Sequence, residues 1–427
     1  MSPTTTSSPS SISRAESTPR RLQNGLAIVV GAMLMTATLP GRTHGLGLIT
    51  KRVIEDLSID TVAFAQLNFW ATILGALFCW PCGRLLDRFG HAIVTSVVLI
   101  LLALSLCCMS WATDTATFTI GLILTRGFGQ SMLSIISLTL IGKWFGRNVG
   151  GAMGAFAILM SFMMAIATGM LASGVITLGW RTAWSLQAIG LLVVLIPLWL
   201  LGDRGHDGWD ESVDEDQNGA KGSRSSTWQE AIRTSCFWVF ALSISFFGLV
   251  SSGFTLFSQF VLEERGFGEN VFQTTVIVSL LSGMVCNLLA GWLLGKVRYE
   301  RLLALGLLLL ALALGMFPWV QQPWHVMLYA VVFGAAGGVL TVVYFSIWRH
   351  AFGPKHLGSI QAAAQIPTVL ASALGPVIVA VSESYTGSYA QVFLSTSVLA
   401  GIMATIAWMT RVPLATFTII PEPSKSS

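Results

Sequence analysis

Three side chains draw attention because of where they fall. Arg42, His44 and Arg126 lie in or beside long apolar runs, where an ionisable group is costly and is a functional candidate by default. Either arginine offers a planar fork of N–H donors that matches a carboxylate. Histidine is the side chain that titrates near neutral pH. No Asp or Glu lies centrally in any apolar run. A cationic site with no fixed acid suits an anionic ligand. Plainer readings stand beside these. Arg126 can pair with backbone carbonyls or with Gln130 one turn on, Arg42 can be a loop residue, and His44 can be a hydrogen-bonded neutral imidazole. Neutral polar residues that could line the same site are Gln130, Asn287, Tyr344, Gln361 and Gln365, with Gln66 and Asn68. Gln361 and Gln365 are one helical turn apart and share a face.

Other chemistry is weakly signalled. Cys79-Trp80-Pro81-Cys82 has redox spacing but lacks the strand–helix context that such a pair uses. Met153, Met160, Met163, Met164 and Met170 could serve a soft metal, yet methionine is ordinary packing in apolar helices. No Gly-x-x-x-x-Gly-Lys-[Ser/Thr] phosphate loop appears, and no nucleophile–base pair or metal constellation stands out. Neither an enzyme nor an ATP-driven pump is expected, and no cofactor or resident metal.

The elements that must position these residues are membrane helices. Of 427 residues, 54% are hydrophobic and 10% charged, against about 25% charged in a soluble domain. The net charge of +4 is small and the basic residues are scattered, which argues against nucleic acid. The apolar runs are about twenty residues long and apolar all round, the pattern of spanning helices rather than barrel strands. Twelve spans are expected, near 22–48, 61–82, 91–112, 115–140, 150–174, 183–202, 237–260, 271–295, 302–320, 326–348, 360–382 and 390–410. The first span has an alternative end at Pro40, which leaves Arg42 and His44 outside it. Residues 1–21 read as a disordered tail, 203–236 as a polar linker, acidic and then Gly/Ser-rich, and 411–427 as a second tail. Two six-helix bundles, 22–202 and 237–410, remain.

Orientation follows from the loop cations. With the N-terminus inside, eighteen Lys and Arg lie on the inner side and only Lys51, Arg52, Arg181 and Arg265 on the outer. Both termini are therefore expected in the cytoplasm, with the chain in the plasma (inner) membrane as a monomer.

The halves echo each other. Gly83-Arg84-Leu85-Leu86-Asp87-Arg88 follows the second span, and Gly291-Trp292-Leu293-Leu294-Gly295-Lys296 follows the eighth, 208 positions on. Trp144-Phe145-Gly146 and Ala351-Phe352-Gly353 match at 207, as do Gly151 and Gly358. A duplicated helical bundle is how alternating-access transporters are built, with the solute site at mid-membrane between the halves.

The motifs resemble the major facilitator superfamily from about residue 22 to 410. Gly83 to Gly90 matches its loop signature Gly-x-x-x-Asp-Arg-x-Gly, with His91 and Ala92 in place of the final basic pair. Leu122 to Arg126 with Gly129 is similar to its fourth-helix signature. Lys143-Trp144-Phe145 with Arg147, Gly150 and Gly154, then Gly179-Trp180-Arg181 and Leu374-Gly375-Pro376, resemble the monocarboxylate and oxalate/formate branch. The resemblance implies a gating role for Gly83, Asp87, Arg88 and Gly90. Asp87 would engage the N-terminus of the eleventh helix, through its unpaired N–H groups and dipole. The branch's charged residues in helices 8 and 11 are absent: span 271–295 lacks the expected Asp and Arg, and span 360–382 has no basic residue. The expected function is secondary active or facilitative transport of a small organic solute by alternating access, the solute being a monocarboxylate-like anion. The alternative is a neutral solute or a soft metal ion such as copper.

Overall fold

The computed structural model describes residues 18–145, 149–201, 227–294, 296–353 and 357–412. Twelve helices there are long and apolar enough to cross a membrane. They are α1 (Leu22–Gly41), α2 (Thr61–Leu86), α3 (His91–Trp111), α4 (Thr115–Ile141), α5 (Ala155–Leu178) and α6 (Trp180–Leu201). The second set is α7 (Ser235–Glu264), α8 (Glu269–Leu293), α9 (Tyr299–Trp319), α10 (Pro323–Phe352), α11 (Ala363–Thr386) and α12 (Ala390–Met409). Among the described residues there is no β-strand, only one isolated bridge between Leu294 and Val297. Helices satisfy every backbone polar group within the segment, which a hydrocarbon environment demands.

Packing falls into two groups. α1 lies on α5 and the second half of α4, and α3 on α4 and α6. In the other group α7 lies on α11, α8 on α10, and α9 on α10 and α12. The groups meet along two seams, α2 on α11 and α5 on α8, and where the segment after α1 touches α7. Small residues make the tightest contact. A Cβ at Gly338 of α10 would lie 2.2 Å from the Gly283 carbonyl oxygen of α8, so that backbone approach needs glycine.

Of the two endings open for the first span, the structure takes the earlier. Pro40 has no N–H to continue the ladder, so α1 tightens into a 3-10 turn over Leu39–Gly41. Arg42 is then extended (φ −93°, ψ 154°), and two short helices follow, Thr43–Gly47 and Thr50–Asp56. α4 carries the second irregularity, a π-helical stretch over Arg126–Leu133.

The motif expected in a loop after the second span is instead helical. The helix runs over Cys79–Phe89 and stops at Gly90, whose φ of 78° a side chain rarely tolerates. Pro367 and Pro376 lie within a continuous helix, Leu357–Thr386. The linker and tails lie largely outside the described residues, apart from a short capped helix, Trp228–Ala231, before α7. So do Gly146, Arg147 and Gly295, the side chains of Asp87 and Lys143, and the surroundings of Gly83, Gly150, Gly151 and Gly154.

Candidate functional site

A cavity of about 370 Å³ lies between the two helix groups. Arg42 and His44, just past the end of α1, form part of its wall, with Leu39 beside them. α5 adds Met160, Ser161, Met164 and Thr168. α7 adds Ser251, Thr255 and Ser258, which follow the i, i+4, i+7 spacing of one helical face, together with Phe247 and Phe254. α8 contributes Thr275, Ser279, Met284 and Asn287, and α10 contributes Tyr329, Phe333 and Thr341. The lining therefore joins one guanidinium and one imidazole to a set of hydroxyls and an apolar, partly aromatic surface.

Arg42 has only neutral partners. Its Nε donates to Thr38 Oγ1 at 2.6 Å, and its terminal nitrogen lies 3.1 Å from Met35 Sδ and 3.4 Å from Ser134 Oγ. No acidic side chain pairs with it among the described residues, and none lines the cavity. A thioether is a weak acceptor, so donor capacity remains free. His44 makes no side-chain hydrogen bond among the described residues.

Arg126 and Gln130, both expected near the solute, are not among the residues that line this cavity. Arg126 is buried, with 2% exposure. One terminal nitrogen donates to the Gly41 carbonyl at 3.0 Å, to Gln130 Oε1 at 2.6 Å and to Thr43 Oγ1 at 3.4 Å. The other donates to Asn68 Oδ1 of α2. The pairing with backbone and Gln130, open as the plainer reading, is the arrangement present. Tyr344 and Gln365 are also away from the wall, bonded to each other at 2.5 Å. Gln361 is half-buried and does not line the cavity either, and Gln66 is exposed. On this side α10 presents glycines and the rings of Tyr329 and Phe333 to the cavity, and α11 contributes none of its lining residues. Only Arg42, His44 and Asn287 of the expected solute residues meet at the cavity.

The hydroxyl face of α7 escaped sequence reasoning, although its spacing was visible. Isolated Ser and Thr in apolar helices usually bond back to their own carbonyls, and here Ser258 does so to Thr255.

At one end of the molecule charged pairs bridge the two helix groups. Lys51, in the short helix after α1, pairs with Glu263 at the end of α7. Arg52 reaches Glu269 Oε1 at 2.7 Å at the start of α8. Gln273 of α8 donates to the Ala172 carbonyl of α5 at 3.1 Å. Nearby, Asp114 caps α4 by accepting from the Thr117 amide at 2.9 Å. That amide, then the Thr117 hydroxyl, holds the Asp114 carboxyl below its ordinary value. At the other end Arg88 is exposed, its guanidinium 5.3 Å from the centroid of the Phe89 ring.

A family model described as Major Facilitator Superfamily matches residues 24–376 and, in a second match, 272–425. No curated protein is significantly similar in sequence. Among solved structures, a D-xylose–proton symporter is similar with TM-score 0.72 and 14% identity, over 93% of this chain and 99% of that one. The nucleoside transporter NupG gives TM-score 0.70 at 13% identity, over 89% and 98%. A bacterial homologue of the human lysosomal transporter Spinster, inward-facing and occupied, gives 0.70 at 14%, over 92% and 96%. At these identities the likeness is one of fold.

Proposed function

From the premise that this chain belongs to the major facilitator superfamily, and so is a membrane transporter of small solutes rather than an enzyme, we propose that its solute is a small monocarboxylate-like anion carried by alternating access. The observation that carries this is Arg42: a guanidinium on the cavity wall with neutral partners only and no carboxylate on that wall among the described residues. A carboxylate solute would take the free donors of Arg42 as a charge-assisted pair. His44 and Asn287 offer further polar contacts. The apolar body of the solute would lie against Phe254, Tyr329 and Phe333. A cavity of about 370 Å³ is at the small end of the range for organic ligands.

In this reading the two helix groups rock about the cavity. The Gly83–Gly90 motif, with Asp87 and Arg88, serves the gate at the end bearing the termini. The Lys51 and Arg52 pairs close the other. The loop-cation bias supports cytoplasmic termini in the plasma (inner) membrane, with the paired end outside. Among the described residues no carboxylate lines the wall, so if transport is proton-linked this reading has the proton ride on the solute or on His44 rather than on a dedicated Asp or Glu relay.

A second reading has one observation in its favour. Met160, Met164, Met284 and His44 share the wall, and thioethers with imidazole suit a soft metal such as Cu(I). The Arg42 charge on the same wall opposes a cationic solute, which ranks this reading second.

The test is uptake into proteoliposomes of benzoate, lactate, xylose, uridine and Cu(I), each with the others as competitors. The expected result is saturable benzoate or lactate uptake, competed by carboxylates and not by xylose or uridine. Uptake of only the neutral solutes, or only of copper, would overturn the anion reading.

A further inference from the structure

The break after α1 leaves Arg42 as a single extended residue between the 3-10 turn Leu39–Gly41 and the short helix Thr43–Gly47 that carries His44. Arg42 has no helical backbone of its own to fix it, and the chain re-enters a helix only at Thr43. Something must hold that turn against the cavity. Arg126 does so from both sides of Arg42, through the Gly41 carbonyl before it and the Thr43 hydroxyl after it. Its remaining partners, Gln130 on its own helix and Asn68 on α2, anchor the guanidinium to the rest of the N-terminal group.

The backbone is shaped for this contact. A Cβ at Gly41 would lie 2.6 Å from the Thr125 carbonyl oxygen and 2.8 Å from the Gln130 nitrogen. Only glycine lets the turn rest on the π-helical stretch. That stretch begins at Arg126 itself, and π-bulges concentrate where a helix serves a local function. A buried arginine paired with neutral oxygens alone is a costly way to fill space. Four oxygens, drawn from three separate chain segments, fix its position tightly.

We infer that Arg126 is a positioning residue: it holds the Gly41–Thr43 turn so that the Arg42 guanidinium and the His44 imidazole stay on the cavity wall. Arg126 itself does not touch the solute. This inference rests on the anion reading of Arg42, and its test keeps the two apart.

Two readouts are needed. Hydrogen exchange by mass spectrometry reports whether the turn is held, with no solute present. Benzoate uptake in proteoliposomes reports whether the held turn binds. In Arg126→Gln, amides within residues 39–47 should exchange about tenfold faster while the helices of the C-terminal group are unchanged. Benzoate KM should rise about tenfold with Vmax within about twofold. Gly41→Ala, which leaves Arg126 in place but pushes the turn off α4, should give the same two changes. It also keeps the inference testable if Arg126→Gln folds poorly, as does Arg126→Lys, which retains the charge. In an Arg42→Ala background, Arg126→Gln should raise KM by about twofold at most, the part that acts through His44, because its main effect acts through Arg42. Unchanged exchange over 39–47 in both Arg126→Gln and Gly41→Ala would overturn the inference. So would a KM effect that adds in full to that of Arg42→Ala, which would make Arg126 a second direct contact. Wild-type benzoate KM in Arg42→Ala would instead defeat the anion reading and leave the exchange result to decide whether Arg126 holds the turn.

Discussion

Arg52 and Glu269 meet at 2.7 Å across the boundary between the two helix groups, while the same guanidinium donates to the Val175 carbonyl of α5. One side chain thus links the segment after α1 to both helices of the α5–α8 seam. Lys51 next to it pairs with Glu263 of α7. The pairs are partly solvated, at 22% and 29% side-chain exposure for Arg52 and Glu269. Such a pair contributes about 1 kcal/mol or less, enough to shift a two-state population by about fivefold. Glu269→Gln should therefore open this end more often. In a cysteine-free background, Ser258→Cys on the cavity wall should react about fivefold faster with an impermeant maleimide added from this face. The swapped pair Arg52→Glu with Glu269→Arg should restore slow labelling. Equal rates in all three proteins would show that the pairs do not close the gate.

The cation on the cavity wall, Arg42, gives the strongest effect. Replacing Arg42 by Ala removes a charge-assisted pair worth about 1.5–3 kcal/mol, so benzoate kcat/KM should fall by about 10- to 150-fold. Arg42→Lys keeps the charge but loses the fork and should fall in between. Competition by neutral solutes should not change. An Arg42→Ala protein with wild-type carboxylate selectivity would remove this residue from the site.

Much of this was legible in the sequence, for physical reasons. The twelve spans were legible because a hydrocarbon solvent demands apolar runs of about twenty residues. The candidacy of Arg42, His44 and Arg126 follows from the expense of ionisable groups in such runs. Their different surroundings do not. Arg126 and Arg42 are equal as sequence features, and only the break at Pro40 and the π-helical stretch of α4 turn one inward to the protein and the other to the cavity. Gly41 was equally silent, because its meaning depends on a contact with α4 some 85 positions away. The helical state of Gly83–Phe89 was missed since charged, glycine-led motifs resemble loops, whereas an amphipathic helix end can carry the same residues.

The contact of α8 with α10, whose Gly283 and Gly338 also line the cavity, predicts a stability effect. A Cβ at Gly338 would lie 2.2 Å from the Gly283 carbonyl oxygen and 2.8 Å from the Asn287 nitrogen. Backbone cannot yield as a side-chain tip does, so Gly338→Ala should cost about 1–3 kcal/mol. Thermal unfolding in detergent should show a lowered midpoint. Gly291→Ala, with nothing within 4 Å of its added Cβ, is the control and should be neutral or slightly stabilising. Equal midpoints for Gly338→Ala and wild type would mean that the two helices separate readily.

Asp114 gives the pH dependence a sign. Its carboxyl titrates below the ordinary value, first because the Thr117 amide bonds to the ionised form and then because the Thr117 hydroxyl does. A carboxyl lowered in the folded state binds its proton more readily when unfolded. Its contribution is therefore present above the unfolded value of about 4 and is lost as pH falls through the lower folded value. Asp114→Ala should lower the unfolding midpoint at pH 7, and the gap to wild type should narrow as pH drops below about 4. Asp114→Asn can still cap the helix through its side-chain oxygen, without a titrating group. It should stay closer to wild type at pH 7 and lack this part of the acid sensitivity. A gap between Asp114→Ala and wild type that widens on acidification would contradict the cap as the source of the shift.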